Sequence, residues 1–286
     1  MKKSPRPMTL PESICFRVTR NCNARCHFCL APPDGDQPSA TSLKYRIDWL
    51  LFRGVKTLHF CGGEPTVHPA LADLLAHTVE QGGRNQLTSN GIVISESLLP
   101  VLKATRTAVR ISLHGDKAQH NAMVGVTAFQ HTTRNIQRLV AYGVKISIQT
   151  TLVAGKTDVI DWMTQYCLDV GVRRLSFLPF IPRGYGLHHR DEFALTALQR
   201  RELHRVIQLK RHILNGRVDI RWLDFNSQVI TVVEPDGRIV LEGSTESKDQ
   251  LMYNIPDEND DGMNALSESD RAHWVRNRAT ISTLMR

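Results

Sequence analysis

ICFRVTRNCNARCHFC, residues 14 to 29, passes from a short apolar and β-branched run directly into three cysteines and a histidine. The first six residues read as a β-strand, and two-residue alternation puts Cys15, Arg17 and Thr19 on one of its faces. Cys22, Cys26 and Cys29 follow in C-x3-C-x2-C spacing, in a loop at the strand's C-terminal end, where α/β sheets build their sites. Structural zinc takes four closed tetrahedral ligands, usually from C-x2-C pairs, and only one such pair is present here. His27 adjoins Cys26 and is badly placed to complete that set. Iron-sulfur clusters normally use four thiolates. Three leave one iron without a protein ligand, and an open iron at the mouth of a parallel sheet is a place where a small molecule binds the metal directly.

The same kind of strand recurs along the chain: KTLHFC (56–61), RNQLTS (84–89), AVRISL (108–113), KISIQTTL (145–152) and RRLSFLPF (173–180). Between these lie apolar residues at helical spacing, among them Leu43, Ile47 and Leu50, then Leu71, Leu74 and Leu75, then Ile136, Leu139 and Val140, then Val159, Ile160 and Met163. Gly54, Gly82, Gly143 and Gly171 stand where helices should stop before the next strand. Six strand-then-helix units imply a parallel sheet with right-handed crossovers. The expected fold is α/β, a partial (β/α)6 TIM-type barrel with a C-terminal α+β cap.

After the sixth strand the pattern changes. A long helix, about Leu195 to Leu214, precedes VDIRWLDF and VITVVEPDGRIVLEG, where Pro-Asp-Gly between apolar runs signals a hairpin. The organisation expected is a core over 1–182 with its cysteine loop at 20–30, a helix and hairpin cap over 183–248 that adds antiparallel strands and completes the barrel, and a polar tail over 249–286.

Hydrophobic residues make up 41% and charged residues 22% of the 286, a balance that excludes a disordered chain. No run of 18 apolar residues exists, and the opening MKKSPRPMTLPES lacks an apolar stretch behind its lysines, so neither a membrane span nor a secretory signal is expected and a cytoplasmic location follows. Six unevenly spaced cysteines do not form a disulfide framework and favour a metal role in a reducing compartment. Cys61 and Cys167 read as small buried residues. The formal charge of +8 suits an anionic partner, although scattered basic residues more often mean solvated helix faces.

Cys22-Asn23-Ala24-Arg25-Cys26-His27-Phe28-Cys29 resembles the signature of the radical S-adenosylmethionine (radical SAM) enzymes. Strand two ends in Gly62-Gly63-Glu64-Pro65, similar to the family's segment that receives the methionine amino group. Strand three ends in Thr88-Ser89-Asn90-Gly91 and strand four in Ser112-Leu113-His114-Gly115, both resembling family contacts to SAM. The resemblance spans roughly residues 12 to 182 and implies a single-cluster member. By it, Cys22, Cys26 and Cys29 hold a [4Fe-4S] cluster whose fourth iron is chelated by SAM. Gly62, Gly63, Glu64, Pro65, Thr88, Ser89, Asn90, Ser112 and His114 contact SAM, while Phe28 and Leu178 lie beside the adenine. The residues agree: glycines permit close backbone approach, Glu64 accepts from an ammonium, and Ser112 and His114 suit ribose hydroxyls or the carboxylate.

The family's chemistry is reductive cleavage of SAM to a 5′-deoxyadenosyl radical that abstracts hydrogen from a substrate, with the protein supplying geometry and a dry interior. Inward-facing strand residues then carry specificity. Arg17 is the candidate for an anionic group, with His59, Ser147 and Gln149 as further candidates. With no cysteine after Cys167, the auxiliary-cluster domain of many peptide-modifying members is not expected. A small, anionic metabolite of nucleotide, nucleoside or sugar type is the first expectation, and a peptide or RNA the second. The implied electron donor is a flavodoxin or ferredoxin. An iron-sulfur electron carrier and a nucleic-acid-binding module are the readings from other classes; nucleic acid is not expected as a partner.

Overall fold

The computed structural model describes residues 10–225 and 228–256. Seven parallel strands lie side by side in chain order: β1 (Ser13–Thr19), β2 (Thr57–Gly62), β3 (Arg84–Ser89), β4 (Ala108–Ser112), β5 (Ile146–Leu152), β6 (Arg174–Pro179) and β7 (Asp219–Trp222). The crossovers carry α1 (Ala40–Phe52), α2 (Leu71–Glu80), α3 (Leu98–Ala104), the pair α4 (Lys117–Val124) and α5 (Phe129–Ala141), α6 (Val159–Val170), the short α7 (Arg190–Phe193), and α8 (Ala197–Leu214). On the other flank of β1, β8 (Ile230–Val233) pairs in parallel, followed by antiparallel β9 (Arg238–Glu242) and β10 (Gln250–Asn254). The fold is the expected α/β partial barrel.

The C-terminal part departs from expectation in two details. The VDIRWLDF run pairs in parallel with β6, so it extends the barrel sheet instead of beginning an antiparallel cap. The reason lies in α8, which acts as one more crossover and carries the chain back to the sheet in the same direction. Residues 250–254, assigned by composition to a polar tail, form β10 on the edge of the sheet, with four of the five exposed and so no apolar alternation to announce a strand. The remainder of that tail, residues 257–286, lies outside the described residues.

Strand alternation divides the sheet into two unlike faces. Ile14, Phe16 and Val18 of β1, with Leu58 and Phe60 of β2, point outward and are at most 1% exposed against the helices. Each such side chain contributes about 1.5–3 kcal/mol by leaving water. The opposite face lines the lumen and is polar: Arg17, Gln86, Thr88, Arg110, Ser112, Ser147, Gln149 and Ser176 alternate with the apolar set. A TIM-type lumen packed with branched aliphatics is a core. This one is built to be wetted or filled by a ligand.

Candidate active site

The cysteine loop lies on backbone that only glycine can offer. Gly63 N–H donates to the Thr19 carbonyl and Glu64 N–H to the Asn21 carbonyl, both at 2.8 Å. A Cβ on Gly63 would stand 2.1 Å from the Asn21 oxygen, and one on Gly62, at φ +139°, 2.3 Å from the Thr19 oxygen. Farther along, Arg25 N–H donates to the Val124 carbonyl (2.9 Å) and His27 N–H to the Met123 carbonyl (3.1 Å). The C-terminus of α4 thus grips the loop, and Gly125, at φ +69°, makes room for it. Phe28 anchors the middle, packed edge-on to His114 at 4.6 Å and against Met123, Val153, Phe180 and Phe193.

Cys22, Cys26 and Cys29 face one cavity of about 130 Å³, whose wall also includes Gly62, Gly63, Glu64, Thr88, Ser89, Asn90, Ser112 and His114. The structure therefore brings together nearly every residue singled out for cluster and SAM. Pro65 stands just behind, at the first position of a single 3-10 turn capped by the Glu64 side chain. Burial pushes all three thiols up, Cys22 to about 11. Such groups favour the thiolate only beside a cation. Among the described residues no three His, Cys, Asp or Glu side chains converge on a single-ion position; thiols spaced around a cavity suit separate corners of a cluster.

Glu64 is 1% exposed and completely organised. Its Oε1 accepts from Thr66 N–H (3.0 Å), Thr66 Oγ1 (2.7 Å) and Ser89 Oγ (2.8 Å), and Oε2 accepts from Asn90 N–H (2.7 Å). Burial raises its pKa while these four donors oppose the rise. Ser89 and Asn90 therefore act through Glu64, and the Asn90 side chain also donates to Asn23 of the cysteine loop (2.7 Å). The remaining lone pair of Oε2 suits an ammonium.

His114 supplies the complementary group. Its Nδ1 accepts from Thr151 N–H at 3.1 Å, which puts the proton of the neutral ring on Nε2. Burial, reinforced by His120, holds its pKa well below the ordinary range, so it is neutral near pH 7. That Nε2–H is buried and has no partner among the described residues. An orphaned donor on the wall of a cavity asks for an acceptor, and SAM, with a carboxylate and ribose hydroxyls, carries several. The residues present thus fit both the cluster and SAM.

A second cavity of about 260 Å³ shares Cys26, Phe28, Cys29, Cys61 and Gly62 with the first and is lined further by Arg17, Gln149, Thr151, Leu178 and Phe225. Gln149 lines this second cavity, and Leu178, expected beside the adenine, lines it too and not the cysteine cavity. Cys61 is not merely buried filler: it is half-buried, lines both cavities and hydrogen-bonds with Cys15. Cys167 is core, as expected.

Three substrate candidates are corrected. Arg17 lines the lumen, but its guanidinium is held by Glu242 (2.8 Å, twice) and Glu234. Burial works against its charge and the two carboxylates outweigh that, raising its pKa. It serves as the ionic fastening between β1 and the β8–β9 hairpin, with Arg20 and Arg183 extending the network to Glu234, Glu242 and Asp249. His59 faces inward near the N-terminal end of β2, where Ser13 Oγ lies 2.7 Å from its Nε2; burial and Arg110 bring its pKa down to about 4. Ser147, near the start of β5, lines neither cavity. Alternation identifies the correct face but not the depth along it.

Thr151, His120 and Asn23 were missed. Thr151 shares a face with Gln149 and was findable by the same alternation. His120 accepts from His114 N–H (3.3 Å) and stacks on it at 5.8 Å, a contact six residues away through a turn that no local pattern announces.

A ligand cavity at the C-terminal ends of parallel strands places the molecule among proteins that bind small molecules at α/β-barrel mouths. The chain belongs to the radical SAM superfamily, whose family model matches residues 16–163. Enzymes of this family use a [4Fe-4S] cluster and SAM. An AdoMet-dependent heme synthase of Nitratidesulfovibrio vulgaris is 28% identical over 178 residues, 60% of this chain and 48% of the relative. A GTP 3′,8-cyclase of Chlorobaculum tepidum is 27% identical over 179 residues, 59% of this chain and 54% of the relative. The chain spans about half the length of these relatives. The solved structure of anSMEcpe with bound AdoMet and Kp18Cys peptide shares the fold, with a TM-score of 0.71 at 18% identity over 92% of this chain and 82% of that one. Among the described residues no helix is long and apolar enough to cross a membrane.

Proposed function

We propose that this chain is a radical SAM enzyme acting on a small anionic metabolite held in the barrel lumen. When bound, the cluster and SAM supply a 5′-deoxyadenosyl radical that takes a hydrogen atom from the substrate. The protein's own part is positional. Cys22, Cys26 and Cys29 hold the cluster at the mouth; Glu64, locked by four donors, faces the ammonium of SAM; the free His114 Nε2–H donates to its carboxylate or ribose; Thr88 and Ser112 line the same wall. Gln149, Thr151 and Leu178 border the substrate's side, and Phe28 lines both cavities. A one-electron donor of flavodoxin or ferredoxin type completes the system.

The observation that carries this reading is a cavity walled by three thiols, an organised carboxylate and an orphaned donor, sharing Cys26, Phe28, Cys29, Cys61 and Gly62 with a second cavity beside it. The test is anaerobic reconstitution with iron and sulfide, addition of SAM and dithionite, and chromatography for 5′-deoxyadenosine. Formation of 5′-deoxyadenosine and methionine is expected; none, together with a cluster spectrum indifferent to SAM, sinks the proposal. The GTP cyclase relative supports a nucleotide-type substrate. A peptide is the second reading, supported by the peptide-bound structure of similar fold.

A further inference from the structure

The lumen carries more positive charge than it neutralises. Arg17 is matched by Glu234 and Glu242. Arg174 and Arg221, facing inward on β6 and β7, share Asp219 at 3.1 and 2.8 Å. Arg110 is different. Val109 and Ile111 of β4 are at most 1% exposed in the outer core, so alternation turns Arg110 inward, two residues below Ser112 of the SAM wall. It registers with Thr88 on β3 and Ser147 on β5, both neutral, and no carboxylate or hydrogen-bond partner meets it among the described residues.

The charges that bear on Arg110 are cationic or conditional: Arg174 and Arg221 disfavour its charge, and only the Cys15 and Cys61 thiols, when ionised, would favour it. Burial is the largest influence, and it too works against the cation. A half-buried, desolvated guanidinium without a counter-charge destabilises the protein that carries it. Its planar fork is shaped for an oxyanion.

We propose that Arg110, and not Arg17, receives the anionic group of the substrate, a phosphate or a carboxylate that lies between β3, β4 and β5, beside Thr88 and below Ser112 of the cysteine cavity's wall. This deepens the function proposed above and rests on its reading of the lumen as the substrate cavity.

The test is the melting temperature of the full chain, purified anaerobically, in sodium phosphate and in sodium acetate, each against sodium chloride at equal ionic strength. Wild type is expected to gain roughly 3 °C at ten times the dissociation constant of the oxyanion it prefers. Response to phosphate identifies a phosphorylated substrate class, and response to acetate alone a carboxylate. Arg110→Met is expected to melt higher than wild type in chloride and to lose the gain, while Arg110→Lys keeps part of it. Non-specific salting effects appear equally in variant and wild type, so their difference is the readout. Wild type indifferent to both anions, an Arg110→Met response equal to wild type, or a lower melting temperature of Arg110→Met in chloride overturns the proposal. Should Arg110→Met fail to fold, Arg110→Gln answers the same question. The assay needs no SAM cleavage: an absent anion response leaves the radical SAM reading intact, and absent 5′-deoxyadenosine leaves the anion response to be judged by itself.

Discussion

The two faces of the same strands obey different rules. On β4, Val109 and Ile111 are sealed against helices, while Arg110 and Ser112 look into the lumen one residue away. On β2, Phe60 is fully buried and meets Phe16 edge-on at 5.7 Å, while Cys61 next to it borders both cavities. The outer face is optimised for packing and specifies the fold. The inner face leaves polar groups short of partners, as a site for a ligand must. Stability and function therefore separate by residue parity, and the separation can be tested.

The largest effect is expected where the two faces meet. Gly63→Ala drives a Cβ into the Asn21 carbonyl, so the cysteine loop must move; iron content after reconstitution and 5′-deoxyadenosine formation should both fall to background. Cys26→Ser should abolish the same two signals while the apo-protein keeps its fold by circular dichroism. On the outer face alone, Phe60→Ala should cost about 3–5 kcal/mol in denaturant unfolding, with no specific effect on SAM binding in the fraction that remains folded.

Acid should act through the buried imidazoles. His120, held down to about 4 by burial, and His114, lower still than its ordinary range, are neutral in the folded chain and protonate first in the unfolded one. The unfolded state then binds more protons as pH drops below about 6.5, and stability should fall from there towards pH 4, by about 1.4 kcal/mol per unit for each such group. A melting temperature flat across that interval would contradict their placement. Ser89→Ala removes one donor from the Glu64 carboxylate and should cost about 1.5–3 kcal/mol, with weakened SAM binding by calorimetry. Gln149→Ala, on the lumen face without a side-chain partner among the described residues, should stay within about 0.5 kcal/mol of wild type and change substrate turnover only.

The parallel core was legible because apolar runs with glycine-closed crossovers have few other solutions. The wall of the cysteine cavity was legible because strand C-termini concentrate Gly62-Gly63-Glu64, Thr88-Ser89-Asn90 and Ser112-Leu113-His114 at one end. What alternation does not encode is depth and company. Arg17 and Arg110 both face inward; only the tertiary fold shows that Glu234 and Glu242, more than two hundred residues after Arg17, come to one of them and not the other. Helix α4 escaped notice for a related reason: it buries little besides His120, Met123 and Val124, so its periodicity is faint.

That inconspicuous helix ties His114 and the cysteine loop to one strut. It starts on Asp116, whose side chain accepts from Gln119 N–H (2.9 Å) directly after His114-Gly115, and it ends on the carbonyls that hold Arg25 and His27. Eight residues span only about 12 Å, so the His114 imidazole and the cysteine loop are opposite ends of a single short rod. Iron loading and sulfonium affinity should accordingly rise and fall as one quantity, even for substitutions in α4 that touch neither ligand.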